Sequence, residues 1–133
     1  MKYLPNIIGG LLGFVFVAGS LAFFFGPAPK VPPMPEAAEL FNKATLTTGF
    51  MSYVKFFELV GGILVAIPRT RNFGLLVLGP IIINIIAFHG ILAGFDAMSL
   101  VIIGVIALLA LYLLWIGRKN FAGLLNSPTQ IKS

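Results

Sequence analysis

Four stretches of this chain, residues 5–25, 50–67, 73–95 and 98–116, are almost unbroken apolar runs. As helices rising 1.5 Å per residue they reach roughly 27 to 34 Å, which matches a hydrocarbon core of about 30 Å. A chain of 133 residues that is 59% hydrophobic and 10% charged has too few polar groups to cover a water-facing surface, since soluble domains carry about 25% charged residues. In lipid every backbone N–H and C=O must be paired internally, and runs of this length without polar alternation do that as helices. The sequence therefore predicts an all-α polytopic membrane protein, one membrane domain folded as a four-transmembrane-helix bundle.

The first run follows Lys2 as a secretory signal would, but it is longer than the usual 7 to 15 apolar residues and no Ala-x-Ala site follows it, so it is read as a retained helix. With four crossings, the N-terminus, the connection at Arg69 to Asn72 and the tail at 117–133 share one side, which holds Lys2, Arg69, Arg71, Arg118, Lys119 and Lys132. The other side holds Lys30 and Lys43 with Glu36, Glu39 and Asp96. The positive-inside rule then places both termini in the cytoplasm and the protein in a bacterial-type cytoplasmic (inner) membrane, with Tyr112 and Trp115 at the inner interface. The net charge of +5 comes from scattered basic residues, which serve orientation and form no nucleic-acid patch. There is no cysteine, so disulfides, thiolate metal sites and thiol redox chemistry are excluded for the chain by itself.

The outer loop at 26–49 opens with five prolines in nine residues, 27–35, which preclude helix there. A helix signal follows: Pro35 suits a first turn, and Glu36 and Glu39 suit the positive end of a helix dipole. Leu40, Phe41 and Ala44 would share one face and Glu36, Asn42 and Lys43 the other, giving a short amphipathic helix on the outer membrane surface.

Charges inside the apolar runs demand explanation, because each costs roughly 2.5 to 3.5 kcal/mol near a bilayer centre. Lys55 and Glu58 are three apart, share a helical face and pair directly. Counted from the cytoplasmic end, Glu58, Lys55 and Asn84 lie at similar depths of about 14, 18 and 17 Å, so the three are predicted to meet near the midplane, with Pro80 kinking the helix one turn before Asn84. His89 lies deeper and on another azimuth, and reaches the same space only if the helix bends or bulges. Lys55, Glu58, Asn84 and His89 are therefore the candidate ligand-binding residues. Intramembrane ionisable groups mark ligand pockets or proton paths, and imidazole suits proton exchange near neutral pH with a quinone or a polar lipid head. The same pair would equally serve only to fix helix register. Gly61 and Gly62, and Gly74, Gly79 and Gly90, permit close helix contact, as do Gly9 and Gly13 at GxxxG spacing, within the bundle or in a homodimer.

The ordered series Thr48-Gly49, Lys55, Glu58, Gly61-Gly62, an arginine-bearing turn after Pro68, Pro80, Asn84 and Phe88-His89 resembles the core of DoxX and DoxX-like small membrane proteins. The resemblance implies a four-helix membrane fold and association with a membrane oxidoreductase in quinone-linked electron transfer, as a non-catalytic accessory subunit. The residues by themselves also fit a structural or assembly protein with no small-molecule site, or half of a dimeric small-molecule transporter.

Overall fold

A computed structural model of the chain describes residues 2–27 and 33–126. The proline-rich stretch around Lys30 and the end of the tail with Lys132 lie outside the described residues. Among these residues six α-helices follow one another: α1 (Leu4–Phe25), α2 (Glu36–Thr47), α3 (Phe50–Ala66), α4 (Arg71–Ala87), α5 (Ala97–Ile116) and α6 (Arg118–Asn126). A single 3₁₀ turn, Pro68–Thr70, joins α3 to α4, and a π-helical segment, Phe88–Ala93, extends α4. Among the described residues there is no strand.

Local chemistry sets the boundaries. Pro5 sits in the first turn of α1, where its missing N–H is not needed. Gly49, at φ 82°, takes the left-handed conformation that side chains disfavour, and there the chain turns through 81° from α2 into α3. Gly94, at φ 79°, ends the π segment in the same region. The Asp96 side chain then accepts the Ser99 N–H at 2.7 Å and caps α5. α4 runs through Pro80 without a break, and Pro80 is exposed.

The connection between α3 and α4 satisfies every backbone acceptor that α3 leaves open. Ile67 N–H closes on Ile63 O, Thr70 Oγ1 donates to Leu64 O at 2.8 Å, and Arg71 donates through Nε to Val65 O at 2.9 Å and through Nη2 to Ala66 O at 3.5 Å. Arg71 Nη1 also donates to Asn6 Oδ1 at 3.1 Å, which ties the start of α1 to the same end. Read in the sequence only as a marker of the cytoplasmic side, this arginine is buried and braces three helices.

α1 packs most extensively on α3, α3 on α4, and α5 closes the ring against α1 and α4. Each helix turns one stripe inward: Gly9, Leu12, Gly13, Phe16 and Ser20 on α1, Glu58, Gly61, Gly62 and Val65 on α3, Gly74, Leu75, Leu78 and Ile82 on α4, and Ile103, Ile106, Ala110 and Leu113 on α5. Glycines set the separations. A Cβ on Gly13 would stand 2.5 Å from Gly62 O, and one on Gly74 would stand 2.6 Å from Val65 N, so backbone meets backbone at both places. Gly9 and Gly13 thus pack within the bundle. Gly79 has open space around it, and Gly90 meets only the Phe95 ring.

Outside, large apolar side chains such as Phe14, Ile83 and Leu108 project from the bundle. α1, the continuous Pro68–Ala93 rod and α5 are long and apolar enough to cross a membrane, and α2 with α3 adds a fourth crossing if the bent pair counts as one span. This is the make-up of a multi-pass membrane protein. The expected amphipathic helix after Pro35 is α2, and α6 occupies the first part of the 117–133 tail, where no helix is expected from the sequence. Its anchor is Phe121, which packs against the core, and at its start Arg118 lies over the Trp115 ring at 4.1 Å.

Candidate functional site

The packed core is not spread evenly along the bundle. Leu12, Val65, Leu75, Leu78, Ala110 and Leu113 fill the half nearer Arg71, with Phe16, Ile82 and Ile106 at its upper edge. Above Phe16 and Ile106 the helices line a partly open cavity of about 270 Å³. α3 contributes Lys55 and Glu58 to its wall, α4 contributes Ile85, and the π segment contributes His89.

Glu58 is buried, and its Oε2 lies 2.9 Å from Lys55 Nζ. Among the described residues no other donor reaches the carboxylate. Lys55 is more open, its side chain 26% exposed against 6% for Glu58, and its ammonium lies 6.0 Å from the centre of the Phe23 ring. Lysine stands on the N-terminal side of glutamate, the order less favoured for helix stabilisation by such pairs. The pair therefore does more for the cavity wall than for α3 itself.

His89 is half-buried, with its ring stacked on Phe95 at 6.0 Å between centres and set edge-on to Phe88 at 5.3 Å. Its Nδ1 lies 2.9 Å from Ile85 O. A carbonyl oxygen only accepts, so Nδ1 carries the proton and donates, and Nε2 is the atom left for another partner. Phe88 N–H closes α4 on Asn84 O and Ile85 O, the π segment begins there, and the Nδ1 bond to Ile85 O holds His89 over Ile85 on the cavity side.

Asn84 does not join them. It is exposed and lies outside the cavity lining. Its depth along the helix is as predicted, but its azimuth is not: Ile85 lines the cavity and Ile82 is buried, and at 100° per residue Asn84 faces away from both. Three of the four sequence candidates, Lys55, Glu58 and His89, are thus brought together.

The sequence reads Gly19 and Ser20 only as small residues for close helix contact and passes over Ser99; Gly19 and Ser99 also line the cavity, and the Ser20 hydroxyl is fully buried with no hydrogen-bond partner among the described residues. The inward stripes carry the signal that finds them. Gly9, Leu12, Phe16 and Gly19 follow helical spacing on α1, as Ser99, Ile102, Ile106 and Ala110 do on α5. Asp96, just before α5, has its carboxyl held below the usual value, chiefly by the Ser99 backbone N–H and then by the Ser99 side chain, with a smaller contribution from His89. Among the described residues no cluster of His, Asp and Glu is fit to hold a metal.

Over 130 aligned residues the chain is 30% identical to YwoB of Bacillus subtilis (strain 168), an uncharacterized protein, in an alignment covering 92% of this chain and 82% of that one. No protein-family model and no solved structure matches it.

Proposed function

Because the chain belongs to the family of YwoB, we propose for it a role that rests on its own cavity: it binds a lipid-soluble molecule with a polar head, a quinone or a lipid, beside Lys55, Glu58 and His89. The observation that carries this reading is the open side of the ion pair. A pair kept only for packing is best sealed by apolar neighbours, whereas Lys55 and Glu58 form the wall of a 270 Å³ space that also receives His89. The protein sits as a four-span bundle in the bacterial-type inner membrane with both termini cytoplasmic, a placement supported by the basic residues gathered at the Arg71 end. The likeness of the Lys55 to His89 series to DoxX-like proteins supports a place as accessory subunit beside a membrane oxidoreductase. Electron transfer itself would belong to that partner, since the chain has no cysteine for a redox thiol or an iron–sulfur site.

Mass spectrometry of molecules retained through mild detergent purification tests the reading. Glu58→Gln and His89→Ala should each reduce the retained molecule while leaving the melting temperature nearly unchanged. Equal retention by both folded variants overturns it. A Lys55→Met, Glu58→Leu double variant that is as stable as the parent and as active in cells would instead make the pair a packing device.

A further inference from the structure

The cavity's open flank defines how a ligand reaches it and of what kind it is, an inference that rests on the ligand-binding reading above. The side formed by α3, α4 and the π segment is the less open one, with Glu58 buried and Lys55, Ile85 and His89 half-buried. Across the cavity Val15 and Gly19 on α1 and Ile102 on α5 are all exposed while still lining it. Nothing stands within 4 Å of where a Gly19 Cβ would be. The exposed neighbours along both helices, Phe14 and Leu21 on one side and Val101 and Val105 on the other, are apolar. The gap between α1 and α5 therefore faces acyl chains, and its occupant comes from the membrane.

Charge and size narrow the occupant. Lys55 and Glu58 neutralise each other at 2.9 Å, so an ionic head would bring an unmatched charge into a low-dielectric space. Hydrogen-bonding capacity remains: ammonium protons of Lys55, the carboxylate of Glu58 and Nε2 of His89 suit a head bearing hydroxyl or carbonyl oxygens. The 270 Å³ volume falls just below the roughly 300 to 1,000 Å³ range of ligand pockets, room for one ring-sized head and the start of one chain. We infer that the cleft between α1 and α5 is a lateral portal through which a neutral, single-tailed amphiphile places its hydroxyl- or carbonyl-bearing head against Lys55, Glu58 and His89 while its tail stays in the bilayer.

Photolabelling of the full chain in phosphatidylcholine vesicles tests this with three diazirine-tagged probes: a single-chain alkyl hydroquinone, a fatty acid and a diacyl phosphatidylcholine. The hydroquinone should label the α1 and α5 peptides around Val15, Gly19 and Ile102, and the other two should not compete for those positions. Gly19→Phe should lose that labelling. Gly10→Phe should keep it, because Gly10 is equally open on the same helix but away from the cavity. Ile102→Trp narrows the gap from the α5 side and serves as a second blocking variant should Gly19→Phe fold poorly. Undiminished labelling in folded Gly19→Phe and Ile102→Trp overturns the portal and leaves the binding site standing. Equal labelling by the fatty acid or the diacyl lipid overturns the neutral, single-tailed class. Absence of cavity labelling by all three probes in the unaltered protein overturns the ligand-binding reading itself.

Discussion

At the scale of single residues, contact between helices is decided by which glycine faces inward. Gly10 and Gly13 are both helix-interior glycines on α1, but a side chain on Gly13 would collide with the Gly62 backbone and Ala66 while one on Gly10 meets nothing. Gly13→Leu should therefore lower the melting temperature in detergent by the equivalent of roughly 1 to 3 kcal/mol. Gly10→Leu should leave it level or slightly raised, since leucine favours helix over glycine. Matching losses from the two variants would contradict the α1–α3 packing. Arg71 is the other residue on which much depends, because its fork reaches Val65 O, Ala66 O and Asn6 Oδ1 together. A lysine there has one point of charge and cannot span those acceptors, so Arg71→Lys should cost on the order of 2 to 3 kcal/mol in thermal or denaturant unfolding despite conserving charge. A change indistinguishable from the parent would show that the cap is dispensable.

At the scale of elements, the apolar runs announce four helices by length alone, and Gly49, Pro68 and Asp96 mark their ends by turn and cap chemistry. What the runs do not announce is azimuth. α4 is apolar nearly all round, so hydropathy gives no preferred face, and Asn84 looks as good a partner for Glu58 as any residue at that depth. The inward face becomes legible only through Gly74, Leu75, Leu78 and Ile82 at helical spacing, which continues to Ile85 and His89 and leaves Asn84 out. α6 escaped notice for a different reason: it is short, and its anchoring depends on Phe121 meeting a core built by distant segments. The start of α5 offers a pH test at this scale. Asp96 has its carboxyl lowered from 3.8 by the Ser99 hydrogen bonds, so its ionised form is the one that favours the folded helix start. That contribution is fully present above the ordinary carboxylate value and fades as pH falls through the lower folded value. Hydrogen exchange of the Ser99 amide should accordingly become less protected, relative to its intrinsic rate, on acidification below about pH 4. In Asp96→Asn, which still caps but does not titrate there, that dependence should vanish. Persistence of the same dependence in the asparagine variant would point to another group.

For the molecule as a whole, the placement of the chain ends follows from the bundle. Arg71 reaches Asn6, and Gly117 lies close against Asn72, so the start of α1, the α3–α4 connection and the end of α5 gather at one end. At the other end Phe41 of α2 packs on Phe88 and His89 stacks on Phe95. If α3 crosses the bilayer with the rest, both termini share a side. In the orientation proposed above, the basic residues at the Arg71 end face the cytoplasm. The natural chain has no cysteine, so single introduced thiols report without background. In intact cells a membrane-impermeant maleimide should label Lys43→Cys and Ala97→Cys, and should reach Lys2→Cys and Lys119→Cys only after the membrane is opened. Labelling of Lys2→Cys and Lys119→Cys from opposite sides would contradict a bundle in which the start of α1 and the end of α5 share one end. The fully inverted pattern would keep the bundle but reverse it in the membrane, and would move the cleft between α1 and α5, which lies toward the α2 end, from the outer leaflet to the inner one.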